Sequence, residues 1–163
     1  MKAVVISLSA LGDTEPIWRD WLEDAHRRFR VDVDALDQEL PNWRELLERF
    51  AEERAPVYFR RDADVSTTLR QLRASGTRIG VFTDAPAELA RIALSHLGAE
   101  RHVEVLETGP GAQQRVSKAL GDDARVIGSR EELLGLATPE AIGRSVIATC
   151  TGEQLRGGQC ARQ

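Results

Sequence analysis

The chain has 163 residues and a formal net charge of −4, with 42% hydrophobic and 29% charged residues, which is ordinary for a globular domain with a core of normal size. No basic stripe with interleaved aromatic residues stands out, so the composition does not favour nucleic acid as a partner. No apolar stretch approaches membrane-spanning length, and the N-terminal sequence lacks the apolar core of a signal peptide. We therefore expect a cytoplasmic protein that does not bind membranes.

Five short apolar runs predict β-strands, and helical patterns separate them. Buried parallel strands are almost continuously apolar, and Val4, Val5 and Ile6 fit that description. The alternation of strands and helices predicts an α/β fold, a Rossmann-like parallel sheet with helices on both faces. The predicted strands are Ala3–Leu8, Arg78–Phe82, His102–Leu106, Arg125–Gly128 and Ser145–Ala148.

Helices are predicted wherever apolar residues recur at helical spacing. The first runs from Trp18 to Phe29 and the second from Trp43 to Phe50. Asn42 with Glu45 three residues later predicts a capping box at the start of the second helix. The third contains Leu69 and Leu72 and ends at Gly76, the fourth begins at Pro86 and ends before Gly98, and the fifth covers Ala112–Leu120.

The segment from residue 16 to residue 64 is helical in pattern and contains all three tryptophans. It interrupts the first strand–helix unit, so we predict a core domain formed by residues 1–15 and 65–150, and a small helical cap formed by residues 16–64. Residues 151–163 are polar and Gly-rich and are predicted to be a disordered tail. The tryptophans are either core residues or a surface for a partner or ligand. The insert is expected to pack at the carboxyl edge of the sheet, where ligands bind in open α/β folds.

The end of the first predicted strand carries a motif. The run Ile6–Pro16, ISLSALGDTEP, resembles the opening motif of haloacid dehalogenase (HAD)-type phosphatases of the phosphoglycolate phosphatase and beta-phosphoglucomutase-like branch. In that family, two aspartates two residues apart act as the nucleophile and as the general acid and base. The matching positions here are Ser7 and Ser9, which strand periodicity would point the same way. Their neutral hydroxyls cannot form an aspartyl-phosphate or supply a carboxylate to magnesium.

A second family motif is a strand that ends in Thr or Ser, and the run Gly80–Pro86, GVFTDAP, resembles it. The resemblance implies that Thr83 binds a phosphate oxygen, helped by the positive N-terminus of the following helix. Asp84 stands where the family often has Asn, and its charge disfavours phosphate. A Thr-Asp helix cap without a ligand is the alternative.

The family's phosphate-neutralising lysine is replaced here by Gly109. The chain has only two lysines, Lys2 and Lys118, and both are predicted to lie at the opposite edge of the sheet. The late aspartate that holds magnesium in the family is replaced by Ser129. The nearby Glu131 and Glu132 are either remaining acids of the site or a solvated first helical turn, which acidic residues stabilise.

The histidines and cysteines do not indicate another catalytic centre. No His pair has metal-ligand spacing and no GxSxG elbow is present. Cys150 and Cys160 fit neither a zinc motif nor a CxxC redox pair, and are either unpaired thiols or a disulfide that ties down the tail.

The resemblance implies a HAD-like frame without its chemistry, so we predict a catalytically inactive pseudo-phosphatase without a metal or other cofactor. It would act by binding a protein partner, or a small anion weakly at Ser7, Thr83 and Asp84. No catalytic residue is assigned, because Ser7, Ser9 and Ser129 occupy the family's carboxylate positions. We expect Ser7, Thr83 and Ser129 to cluster at the carboxyl edge of the sheet, with the insert above them.

The alternative is an unconventional or residual HAD-type phosphoesterase that uses Asp13 or Asp84, with magnesium as its cofactor. The sequence names neither the ligand, nor the partner, nor the oligomeric state.

Overall fold

The structure is a computed structural model that describes residues 2–121 and 123–137. In this part of the chain, four parallel strands form one sheet. The order across the sheet is β3-β2-β1-β4, so the connection from β3 to β4 crosses back past β2 and β1. Ser7 is in register with Phe82, and Ile6 with Ile127. The strands are β1 (Ala3–Ser7), β2 (Arg78–Thr83), β3 (Val105–Thr108) and β4 (Arg125–Ile127).

Helices occupy the connections between the strands, and one more follows β4. They are α1 (Leu8–Leu11), α2 (Glu15–Phe29), α3 (Leu36–Glu39), α4 (Trp43–Tyr58), α5 (Ala63–Ala74), α6 (Ala87–His96), α7 (Ala112–Leu120) and α8 (Arg130–Gly135). Two 3-10 helices add to these, Val33–Ala35 and Glu100–His102. Within the described residues, no helix combines the length and the apolar character needed to cross a bilayer.

Alternate residues of β1 face opposite layers of helices, as the pleat of a strand requires. On one face, Val5 packs in a small buried cluster with Val116 and Leu120 of α7. On the other face, Val4 and Ile6 belong to a large buried cluster to which most of the remaining helices contribute. The predicted α/β architecture, a parallel sheet with helices on both faces, is therefore confirmed.

The insert between β1 and α5 is helical, and it shares the large cluster of the sheet. Trp21 of α2 and Leu47 of α4 are buried in the same cluster as Ile6. Arg44 of α4 also pairs with Glu88 of α6, with 3.2 Å between its guanidinium nitrogen and the carboxylate oxygen. The insert is thus fixed against the layer of helices that covers the sheet.

Several predicted boundaries need correction. The first strand ends at Ser7, because Leu8 already begins α1. The third begins at Val105 rather than His102, which closes a 3-10 helix. The predicted capping box of the second helix is wrong, since the side chain of Asn42 makes no capping hydrogen bond. The predicted strand Ser145–Ala148, both cysteines and the predicted tail 151–163 lie outside the described residues.

Candidate ligand-binding site

A cavity of about 640 Å³ lies between the helical insert and the carboxyl ends of β1 and β2. Ser7, Ser9, Thr83 and Asp84 all line it, so four of the residues singled out in the sequence come together. The connection after β1 and the insert supply most of the remaining wall. The carboxyl edge of a parallel sheet is the usual place for a ligand in an open α/β fold.

The hydroxyl oxygens of Ser7 and Ser9 lie 2.7 Å apart and share a hydrogen bond. They meet because the short helix α1 begins directly after β1, so the strand periodicity that we used to predict their common direction is not the cause. One hydroxyl donates to the other, which leaves one hydroxyl hydrogen of the pair to offer to a ligand. Ser7 is half-buried and Ser9 is exposed.

Thr83 closes a local turn at the end of β2. Its hydroxyl oxygen accepts a hydrogen bond from the backbone N–H of Ala85 over 3.1 Å. The residue that caps α6 is Pro86, so Thr83 caps the turn before the helix rather than the helix itself. The N–H of Ala85 is therefore already used within the chain. The exposed carboxylate of Asp84 lies beside it in the cavity wall.

Ser129 lies at the same edge of the sheet, after β4, but it is not among the residues that line the cavity. Its hydroxyl accepts from the backbone N–H of Glu132 over 3.3 Å. The Glu132 carboxylate in turn accepts from the N–H groups of Gly128, at 2.8 Å, and Ser129, at 3.3 Å. These bonds form a capping box that begins α8. The expected cluster of Ser7, Thr83 and Ser129 is thus only partly formed at the cavity.

The groups at and beside the positions where the resemblance calls for carboxylates do not fit a magnesium site. Ser7 and Ser9 bond to each other, and Glu132 is occupied by the N–H groups of the capping box. Magnesium is usually held by carboxylates together with phosphate oxygens. Across residues 2–121 and 123–137, no group of three or more His, Cys, Asp or Glu residues is placed to hold a metal ion.

The position expected for the family's lysine is a glycine turn. Gly109 has a φ of 79°, a conformation that a residue with a side chain adopts only with strain, and its N–H donates to the carbonyl of Thr83 over 2.9 Å. Lys2 precedes β1, and Lys118 lies in the last turn of α7, which leads into β4. Both lysines therefore lie toward the amino edge of the sheet, as we predicted.

Carboxylates dominate the charge of the cavity wall. Five acidic residues line it, and none of the described lining residues is Lys, Arg or His. They come from three separate segments, namely the connection after β1, the short helices of the insert and the turn after β2. The acidic residues are Asp13, Glu15, Asp34, Asp37 and Asp84.

Three tryptophans form one aromatic cluster beside these carboxylates. The ring centroids of Trp18 and Trp21 are 5.4 Å apart in a stacked arrangement, and Trp43 lies 6.1 Å from Trp18 and 5.8 Å from Trp21. Trp43 also donates its indole N–H to Asp37 over 2.7 Å. Trp21 and Trp43 are core residues, and Trp43 also lines the cavity together with Trp18. The expectation that the tryptophans are core residues is therefore correct for Trp21 and Trp43, whereas a surface for a partner or ligand stays a prediction.

The contribution of residues 33–38 to the wall, including Asp34 and Asp37, was not predicted from the sequence. They lie in a 3-10 helix and the four-residue helix α3, and such short elements show no helical periodicity. The only signal was local composition, since acidic residues recur between Asp32 and Glu39.

No protein-family model matches the chain, and no curated protein sequence matches it. Among solved structures, it is similar to the "Crystal structure of putative beta-phosphoglucomutase from Thermotoga maritima". The superposition covers 84% of this chain and 82% of the other, with 21% sequence identity and a TM-score of 0.48. A likeness of this degree does not carry the activity of that protein over to this chain.

Proposed function

We propose that this chain is a catalytically inactive relative of the HAD-type phosphatases that works by binding a ligand in the cavity at the carboxyl edge of its sheet. The observation that supports this most directly is the 2.7 Å hydrogen bond between the hydroxyls of Ser7 and Ser9. At these positions, the resemblance calls for a nucleophilic carboxylate and a second carboxylate for proton transfer.

A serine hydroxyl becomes a good nucleophile only when a neighbouring base takes its proton. The hydroxyl partner of Ser7 is the hydroxyl of Ser9, which is too weak a base for that task. Thr83 could still contact a phosphate oxygen through its hydroxyl hydrogen, but binding alone does not provide a nucleophile. Groups that act as a catalytic unit lose activity together when members are removed, so a single remaining group is not expected to sustain turnover.

There is less support for a small anion as the ligand at Ser7, Thr83 and Asp84 than for ligand binding in the cavity in general. Five carboxylates line the cavity, and they oppose the entry of a negative ligand. Some donors near Thr83 are also committed, since the N–H of Ala85 already bonds to the Thr83 hydroxyl. A protein partner that inserts a side chain into the cavity remains compatible with the proposal.

The proposal is tested by measuring hydrolysis of p-nitrophenyl phosphate, with and without magnesium, through successive purification steps. We expect the rate to equal that of buffer for the unmodified protein and for Ser7→Asp, because one carboxylate restores neither the proton-transfer partner nor the lysine. Activity that co-purifies with the protein and disappears in Asp13→Asn or Asp84→Asn would instead establish the phosphoesterase alternative. Glu53→Gln, an exposed change on α4 away from the cavity, is the matched control.

A further inference from the structure

The lining of the cavity favours one class of ligand. We propose that it binds a small organic ammonium cation that lies between the indole ring of Trp18 on one side and the surrounding carboxylates on the other. This inference rests on the proposed function, because it names the ligand of the same cavity.

The charge of the wall is the first argument. Asp34, Asp37 and Asp84 approach the cavity from two different segments, and Asp13 and Glu15 add a third. Like charges brought together around one space repel each other, and a bound cation relieves that repulsion. With no described Lys, Arg or His in the lining, the wall itself supplies no such cation.

The aromatic wall is the second and independent argument. The face of an indole ring attracts cations, and aromatic rings are the usual partners of methylated ammonium groups. Trp18 is half-buried and is held by stacking on Trp21, so its ring is fixed before a ligand arrives. Trp43 is buried, and the guanidinium carbon of Arg44 lies 4.4 Å from the centroid of its ring, so Trp18 is the ring that the ligand would contact.

Arg44 is also the positive group that opposes the proposal. Its guanidinium is paired with Glu88 at 3.2 Å, and it is not among the residues that line the cavity. The paired carboxylate offsets much of its charge, whereas the described carboxylates of Asp34 and Asp84 have no ion pair within the described residues. The local balance therefore stays negative.

The shape of the wall favours an organic cation over a metal ion. The five carboxylates are spread around about 640 Å³ rather than gathered at one point, and within the described residues no three of them form a metal-binding group. Apolar side chains lie between them, including Val33, Leu36 and Phe82. A charge surrounded by methyl or methylene groups matches such a mixed lining, because the substituents contact the apolar parts while the charge faces the carboxylates.

The test is a titration with choline chloride, followed by tryptophan fluorescence, with sodium chloride holding the ionic strength constant. The paired probe is 3,3-dimethylbutan-1-ol, which has nearly the same shape without the charge. We expect choline binding to be saturable, and we expect the alcohol to bind at least about tenfold more weakly than choline. Asp34→Asn/Asp84→Asn should weaken choline binding about fivefold or more, because it removes two nearby charges. Trp18→Leu should weaken it as well, whereas Glu53→Gln should not.

Equal binding of choline and the alcohol would overturn the proposal, since the cavity would then recognise apolar shape alone. Absence of saturable choline binding by a protein whose circular dichroism shows it to be folded would overturn it as well. Both results leave the proposed function intact, because that proposal fails only if phosphatase activity is found. Both aspartates are exposed and their removal relieves repulsion, so the double variant is expected to unfold at a temperature no lower than that of the unmodified protein.

Discussion

A β-carbon on Gly80 would lie 2.3 Å from Cγ1 of Val116, so β2 and α7 approach each other as closely as a glycine allows. The same β-carbon would lie 2.8 Å from Cδ1 of Leu120. Both neighbours are buried, which leaves them little room to move. The absence of a side chain at Gly80 therefore sets the distance between the sheet and the helix on that face.

Gly80→Ala is expected to destabilise the protein by about 1–3 kcal/mol, the typical cost of an overpacked core. The free energy of unfolding from urea denaturation measures this cost. The double variant Gly80→Ala/Val116→Ala should lose less stability than the sum of the losses in the two single variants. The reason is that Val116→Ala removes the atom with which the new β-carbon collides. Gly135→Ala, where a β-carbon meets nothing within 4 Å, is the control. Additive losses in the double variant would contradict this account.

Magnesium is expected to leave the midpoint of thermal unfolding unchanged. A metal that binds only the folded state would raise the midpoint by mass action. The hydroxyls of Ser7 and Ser9 bond to each other, and Glu132 is held in its capping box, so none of the three presents the carboxylate set that this ion prefers. A saturable rise in the midpoint that Glu132→Gln abolishes would refute the prediction. Sodium chloride at matched ionic strength controls for screening.

Asp62 is expected to make stability depend on acid pH. Its carboxylate accepts from the backbone N–H groups of Val65 and Asp64, each at 3.0 Å, and pairs with Arg130. The hydrogen bond from Val65, followed by the one from Arg130, lowers the pKa of Asp62 from its ordinary value. Since the folded pKa is the lower one, this stabilisation is present above the unfolded pKa of about 4 and is lost as the pH falls through the folded pKa.

Two substitutions separate the cap from the charge. Asp62→Ala should cost about 0.5–2 kcal/mol at neutral pH, because α5 loses its N-cap. Asp62→Asn keeps a capping side chain but does not titrate, so the unfolding free energy should fall less steeply between neutral and acid pH than in the unmodified protein. Urea denaturation at a series of pH values measures both effects. An unaltered pH profile in Asp62→Asn would show that other carboxylates carry the dependence.

Local sequence predicted the elements well where the pattern is long or the end signal is strong. The helix Ala112–Leu120 has the predicted bounds, and the glycines expected after two other helices, Gly76 and Gly98, have φ values of 78° and 71°. These features depend on the spacing of apolar residues and on the conformational freedom of glycine. Both are local properties that can be read from neighbouring residues in the sequence. Boundaries failed where a short helix follows a strand directly, as at Leu8, because four residues show no period.

The site residues were predicted with less success, and for a different reason. The motif resemblance singled out Ser7, Ser9, Thr83 and Asp84. They line one cavity because the carboxyl ends of parallel strands share an edge. It did not reveal that Glu132 would be held by backbone N–H groups. The membership of the chain among HAD-like proteins and its cytoplasmic location stay predictions.

The sequence by itself determined the alternation of strands and helices, the parallel sheet and the presence of hydroxyl groups at Ser7, Ser9 and Ser129, because burial patterns and residue types are properties of the chain. Only the tertiary structure decided that Trp18 and Trp43 stand beside Asp34 and Asp37 around one cavity. Those residues lie on separate helices of the insert, and their proximity depends on how these helices pack on one another. The electrostatic character of the cavity is therefore a product of packing, which no local pattern encodes.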